Sequence, residues 1–179
     1  TGGSHSDLTE EYAAIPREMR EAASVFGKET LRGLELGQLL RKLPEIRAAA
    51  GDRAALRALH FIEENDRVLA MGKALEDGRM KRFLKLADRS GSSSWRYLQN
   101  VQAPGDPRSQ ALALALALTE FSLRKRGACR VHGGGFEGTI QAFVPLDGFK
   151  EYREIMEHVL GPGCVTRLRI REEGAGEIR

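Results

Sequence analysis

Cysteine is scarce in this chain. Only Cys129 and Cys164 occur in 179 residues, which excludes a disulfide framework as the source of stability and makes a reducing, cytoplasmic setting the expectation. No apolar run reaches the length of a membrane span and no signal peptide opens the chain, so no membrane partner is expected. Aromatics make up 6% of the residues, and no stacking-platform motif accompanies the arginines, so no nucleic-acid partner is expected either. A strong charge of one sign is also missing. The net charge of +3 and pI near 9.0 are mild, with acidic residues interspersed nearly everywhere, and they demand no polyanionic partner.

What is present is an ordinary globular balance, 41% hydrophobic and 30% charged, enough for one sizeable core. The first residues, Thr1-Gly2-Gly3-Ser4 without an initiator methionine, read as a tag remnant or as the cut edge of a longer protein, and the motifs further on favour the second. Helical signals then dominate. Thr9 to Phe26 carries Ile15, Met19, Ala22 and Ala23 at helical spacing, with Thr9 as a cap and Gly27 as a stop. Pro16 lies inside that pattern, so the helix is expected to start after Ala14 or to bend there. Short helices are predicted at 34–40 and 44–50. Asp52 then caps a long helix to Leu75, with Leu56, Leu59, Ile62, Val68, Met71 and Leu75 as its apolar stripe. Asp77-Gly78 breaks it, and a second helix runs from Arg79 to about Asp88.

Ser90-Gly91-Ser92-Ser93-Ser94 reads as a solvated loop rather than a phosphate cradle, followed by a short helix near 95–101. Asp106 and Pro107 start the next helix. Leu112, Leu114, Leu116 and Leu118 alternate like a strand, but the Ala/Leu composition and the stop at Arg124-Lys125-Arg126-Gly127 favour helix. Cys129–His132 and Thr139–Val144 read as two strands, Leu146–Leu160 as a helix and Val165–Arg171 as a final strand. The fold class is α+β, helix-rich with a small antiparallel sheet.

Between the two strands lies Val131-His132-Gly133-Gly134-Gly135-Phe136-Glu137-Gly138-Thr139. Four glycines in six positions are hard to explain in ordinary structure, because each gives up much backbone entropy and adds no side-chain packing. They suit positive φ angles, or the close approach of a ligand or a second backbone. From spacing alone the segment reads as a wide hairpin turn. It matches neither the phosphate loop ending in Gly-Lys-Ser/Thr nor a dinucleotide fingerprint.

The stretch from Ala128 to Thr139 resembles the third motif of the GHMP small-molecule kinases, in particular the galactokinases. Three further stretches agree in order. Ser4-His5-Ser6-Asp7-Leu8-Thr9-Glu10-Glu11-Tyr12 is similar to a segment carrying a sugar-contacting tyrosine. Arg57, His60, Glu64, Asn65 and Arg67 match an Arg-x-x-His-x-x-x-Glu-Asn-x-Arg helix motif, and Phe83, Leu86 and Ser90 match a Phe-x-x-Leu-x-x-x-Ser stretch. There are departures. Glu137 stands where the family usually has glycine, Gly91 where it commonly has histidine, and Arg17 replaces an arginine pair expected soon after the tyrosine.

The resemblance implies a GHMP kinase C-terminal domain with a ferredoxin-like sheet over residues 1–179. Segment 1–27 would adjoin an N-terminal domain, 28–127 would be mainly helical, and 128–179 would hold the glycine-loop hairpin, a helix and the last strand. It implies transfer of the ATP γ-phosphate to the anomeric hydroxyl of galactose, with ATP and Mg2+ bound chiefly by the N-terminal domain. Neither that domain's Gly-Leu-Ser-Ser-Ser phosphate loop nor its catalytic aspartate is found here. The isolated chain is therefore expected to be inactive and to hold no catalytic residue. Tyr12 would contact the sugar, and Gly133, Gly134, Gly135, Phe136 and Gly138 would form the loop facing it. The alternative is a non-catalytic sugar sensor or regulatory binder, motivated by the charge of Glu137.

Other constellations read as structural. His60, Glu64 and Arg67 share a helical face and are expected to form a salt-bridge face rather than a relay. His5 is read as a positioning residue. Cys129, His132, His158 and Cys164 match no common zinc module, so no metal site is expected. Arg167, Arg169 and Arg171 are read as the solvated face of the last strand.

Overall fold

The computed structural model describes residues 8–102 and 107–170. Five helices and one hairpin follow in the order α1 (Thr9–Ser24), α2 (Leu36–Glu76), α3 (Met80–Ser93), α4 (Ala111–Leu123), β1 (Ala128–His132), β2 (Thr139–Phe143) and α5 (Phe149–Leu160). The α+β reading holds. Helices dominate, and the sheet among the described residues is the antiparallel β1–β2 pair, with Ala128 opposite Phe143 and His132 opposite Thr139.

Helix α1 runs unbroken through Pro16 and begins at Thr9, which is therefore its first helical residue and not its cap. It stops as expected, with Gly27 at φ 65° and the Lys28 N–H returning to the Ala23 carbonyl at 3.2 Å. The two short helices expected at 34–40 and 44–50 are one run. It is opened by Gln38, whose side chain accepts from the Glu35 N–H at 2.9 Å, and Leu39 and Ile46, seven residues apart, are fully buried on one stripe. The break falls at Gly51, at φ 84°. Asp52 follows it, but its carboxylate takes the Arg47 Nε at 2.5 Å.

The buried stripe of the second half of α2 differs from expectation. Ala54, Ala55, Ala58, Ile62 and Ala74 are buried, while Val68 and Leu75 are 56% and 50% exposed. Small residues let α1 and α3 approach α2 closely, and the larger side chains are displaced to the flanks.

The serine-rich stretch is not a loop. Helix α3 extends to Ser93 and continues as a π-turn over Ser94–Leu98. Ser90, Ser93 and Ser94 are buried, and the hydroxyls of Ser90 and Ser93 find partners on α2. That removes the usual reason for serine to leave a helix. Gly91 faces β1, where a Cβ would sit 2.5 Å from the Cys129 carbonyl oxygen.

Helix α4 prevails over the strand-like alternation. Leu112 and Leu116 are buried one turn apart, while Leu114 is 46% exposed. It starts at Ala111 rather than Pro107; Asp106, the expected cap, lies outside the described residues. Residues 146–148 form a 3-10 turn before α5 begins at Phe149. The predicted last strand is not formed. Val165–Ile170 runs without strand pairing, with Leu168 and Ile170 exposed, because alternation fixes faces but no neighbouring strand among the described residues offers its ladder. Arg167 packs over the Phe149 ring, 5.8 Å from its centroid, and Arg171 lies outside the described residues.

Among the described residues three clusters form the core. One joins α1 to both halves of α2 through Ala22, Leu39, Ile46 and Ala58. A second places Val101, Leu112 and Leu116 against Cys129 and Val131 of β1. The third packs Ala115 on Tyr152 and Met156 of α5. Because Gly91 meets backbone rather than a flexible side chain, Gly91→Ala should lower unfolding free energy by about 1–3 kcal/mol, the range for overpacking. A urea midpoint equal to that of the wild type would contradict this close packing of α3 on β1.

Candidate functional site

The glycine loop lies against the start of α1. The Tyr12 hydroxyl donates to the Gly135 carbonyl at 2.8 Å, and its ring meets Phe136 edge-on with centroids 5.4 Å apart. Burial raises the Tyr12 pKa above its ordinary value, and the nearby Glu137 charge adds to the rise. Tyr12 and the loop residues Gly133, Gly134, Gly135, Phe136 and Gly138 are thus brought into one neighbourhood. His5, expected beside Tyr12, lies outside the described residues.

Two of the glycines have a visible reason. A Cβ on Gly134 would fall 2.5 Å from Tyr12 Cε1, and one on Gly135 would collide with the Asn100 carbonyl oxygen. Gly135 also sits at φ 86°, a region disfavoured for other residues. The close approach inferred from the sequence is real, but here a tyrosine ring and a neighbouring backbone make it. Phe136, at φ 59°, takes the same left-handed region without being glycine. Its ring is buried, and its N–H donates to the Asn100 carbonyl. Asn100, which sequence reasoning missed, also donates from Nδ2 to the Gly134 carbonyl at 3.0 Å. Its only signal was its place after the serine run, where a polar residue looks like ordinary loop.

Beneath the loop runs a buried polar spine. Arg57 is fully buried; its Nη1 donates to Glu18 Oε2 at 2.9 Å and its Nε to the Leu98 carbonyl at 3.1 Å. Burial depresses the guanidinium pKa and the Glu18 carboxylate pulls it back up. Arg53 adds a second partner, its Nη2 lying 2.5 Å from Glu18 Oε1. A turn further along α2, His60 Nδ1 is 2.9 Å from Ser93 Oγ. Glu64 accepts from Ser90 and Arg67, with Arg130 of β1 at 3.9 Å. The expected salt-bridge face is therefore present, but turned inward to tie α2 to α3 and β1.

The other candidates separate. Cys129 is buried and its thiol is pushed up to about 12 by burial, with Glu120 and Asp88 adding to the rise, while His132, His158 and Cys164 are exposed. Among the described residues no three potential metal ligands gather, and no helix is long and apolar enough to cross a membrane. Two cavities, of about 230 and 550 Å3, lie against α2 and are not lined by the glycine loop. The loop itself presents an open face at His132, Gly133 and Gly134.

A helical body bearing a glycine-rich hairpin, with a tyrosine laid across the loop, is the fold that this chain shares with part of a solved sugar kinase. By sequence the chain is a relative of the galactokinases and matches their C-terminal part. It is 32% identical to the galactokinase of Mannheimia succiniciproducens over 152 residues, which are 85% of this chain and 37% of that protein. The Haemophilus influenzae galactokinase is 31% identical over the same share of this chain and 38% of its own length. The chain thus spans well under half the length of these relatives. The Lactococcus lactis galactokinase, solved with galactose, has the same fold, with a TM-score of 0.65 at 22% identity over 90% of this chain and 40% of that one. No protein-family model matches the chain.

Two measurements check the spine. Glu18→Ala leaves a buried guanidinium without its carboxylate and should cost about 3–5 kcal/mol of stability, the range for breaking a buried pair; a loss no larger than that of a surface substitution would refute the pairing. Burial holds the His60 imidazole below its ordinary value of 6.5, with Glu64 opposing and Arg67 and Arg130 assisting. A depressed folded value keeps the ring neutral in the native state. Its contribution is therefore complete above the unfolded value and is lost as pH falls below that value toward the folded one. Wild-type stability should fall more steeply than that of His60→Asn on acidification from about pH 7.5 to 5.5, and parallel curves would contradict it.

Proposed function

We propose that this chain is the C-terminal part of a galactokinase-like sugar kinase that transfers the ATP γ-phosphoryl group to the anomeric hydroxyl of galactose. The observation that carries the reading is the fit between the family relationship and the loop: Tyr12 is laid across the glycine hairpin, whose far face is open. In this reading segment 1–27 adjoins an N-terminal domain, 28–127 forms the helical body and 128–179 carries the hairpin side of the cleft. Of the loop residues Gly133, Gly134, Gly135, Phe136 and Gly138, Gly133 and Gly134 present the open face to the sugar, while Gly135 and Phe136 are buried and support it from behind. In this reading Tyr12 contacts the sugar while its hydroxyl donates to the Gly135 carbonyl.

Phosphoryl transfer is mainly positioning and charge stabilisation. ATP would supply the γ-phosphoryl group and Mg2+ would neutralise its charge, both held by the N-terminal domain. This chain's residues shape and shield the sugar side. Val68, Leu69, Leu75 and Met80 stand exposed on the end of α2 and the start of α3, side chains suited to burial against another domain. The sequence carries no Gly-Leu-Ser-Ser-Ser phosphate loop, so in this reading the chain by itself turns over no ATP.

One observation favours the second reading, a sugar sensor without catalysis. Glu137 Oε2 is buried without a hydrogen-bond partner, and its charge bears on Tyr12. A carboxylate held there repels transferring phosphates. The test is galactose-dependent ADP release by the protein that joins this chain to its N-terminal portion. Turnover is expected, and Tyr12→Phe should raise the galactose KM about 2–10-fold, the loss of one hydrogen bond. Galactose binding without turnover, restored by Glu137→Gly, would establish the sensor instead. Galactose-dependent turnover by the 179 residues alone would overturn the division of labour.

A further inference from the structure

We infer that Asn100 is the positioning residue of the glycine loop, fixing Gly134–Phe136 beneath Tyr12 with its side-chain amide and its backbone carbonyl. Three contacts from three loop residues converge on it. Nδ2 donates to the Gly134 carbonyl at 3.0 Å, the backbone carbonyl accepts from Phe136 N–H, and Gly135 is packed so closely that any Cβ would strike that carbonyl. Asn100 is 2% exposed, so these contacts are shielded from competing water.

The residue is itself placed from below. The Leu98 carbonyl, two residues earlier, is held by Arg57. Gln99 then turns the chain out of the π-turn at φ 58°, and its N–H returns to the Ser94 carbonyl at 2.8 Å. Asn100 therefore leaves a rigid helix end rather than a free loop.

Its Oδ1 is buried and has no hydrogen-bond partner. An orphaned buried acceptor is destabilising, and an apolar side chain of similar size would avoid it. The amide's value at this position lies in the bond it donates to the loop. In the kinase reading above, on which only the kinetic consequence rests, that bond holds the sugar-facing backbone in register with Tyr12. Asn100 touches the loop and not the sugar, so it acts on affinity through the loop.

The experiment compares the intact protein with Asn100→Ala and Asn100→Asp, the second keeping size but losing the donor. Amide hydrogen exchange across residues 133–138 should rise roughly tenfold in both variants. The galactose KM should rise about fivefold or more, with kcat within about twofold of wild type. Because Tyr12 and Asn100 hold the same loop, Asn100→Ala combined with Tyr12→Phe should raise KM by less than the product of the single effects. Unchanged loop exchange in the folded variants would overturn the inference, as would Asn100→Asp behaving like wild type or fully multiplicative KM effects. Should both variants fail to fold, Gly135→Ala tests the same contact from the loop side, where unchanged exchange again overturns it. If wild type shows no sugar-dependent turnover, the kinase reading fails, and the exchange result alone decides the role of Asn100.

Discussion

A single buried cation organises this domain. Arg57 has no access to solvent, and a guanidinium removed from water is tolerable only where its donors meet acceptors. Two of its donors do so on different parts of the chain, Glu18 on α1 and the Leu98 carbonyl at the end of the π-turn. Lysine, a compact point charge, could not serve both with the fixed fork of arginine. The packing of α1 on α2 and the path of the chain after α3 are thus set by one side chain.

From that constraint a closed circuit follows. Arg57 fixes Leu98; two residues on, Asn100 holds the loop from below; the loop's Gly135 carbonyl takes the Tyr12 hydroxyl; and Tyr12 shares α1 with Glu18, which returns to Arg57. The links are hydrogen bonds, the stretch of α1 from Tyr12 to Glu18, and two short backbone steps, Leu98–Asn100 and Gly134–Gly135. A loop rich in glycine would otherwise sample many conformations. Enclosed in this circuit, Gly134 and Gly135 are held in one arrangement, and their missing side chains are the reason Tyr12 and Asn100 can approach. The second turn of the motif, His60 with Ser93 and Glu64 with Ser90, fastens α3 to α2 in the same way.

The sequence disclosed the helices and the hairpin because their signals are local. Periodicity located α2, the Ala/Leu composition decided α4, and the glycines marked the turn between β1 and β2. Legibility failed where a distant partner decides the outcome. Ser90–Ser94 reads as loop until its hydroxyls meet α2, and Val165–Ile170 reads as strand though no strand of the described residues lies beside it. The same holds for the site. Tyr12 and the glycines were visible through their likeness to a kinase motif, and His60, Glu64 and Arg67 were visible as a helix face. That this face is buried, and that Asn100 carries the loop, depends on contacts 33 to 41 residues apart in sequence.

The most direct test of the circuit is amide hydrogen exchange across residues 133–138 in Arg57→Lys, a residue that is not among the loop's hydrogen-bond partners. If the circuit governs the loop, exchange there should accelerate about tenfold or more while α4 and α5 keep wild-type protection. Loop exchange identical to wild type, in a folded Arg57→Lys protein, would show that the loop is held independently of the buried arginine and would contradict the account.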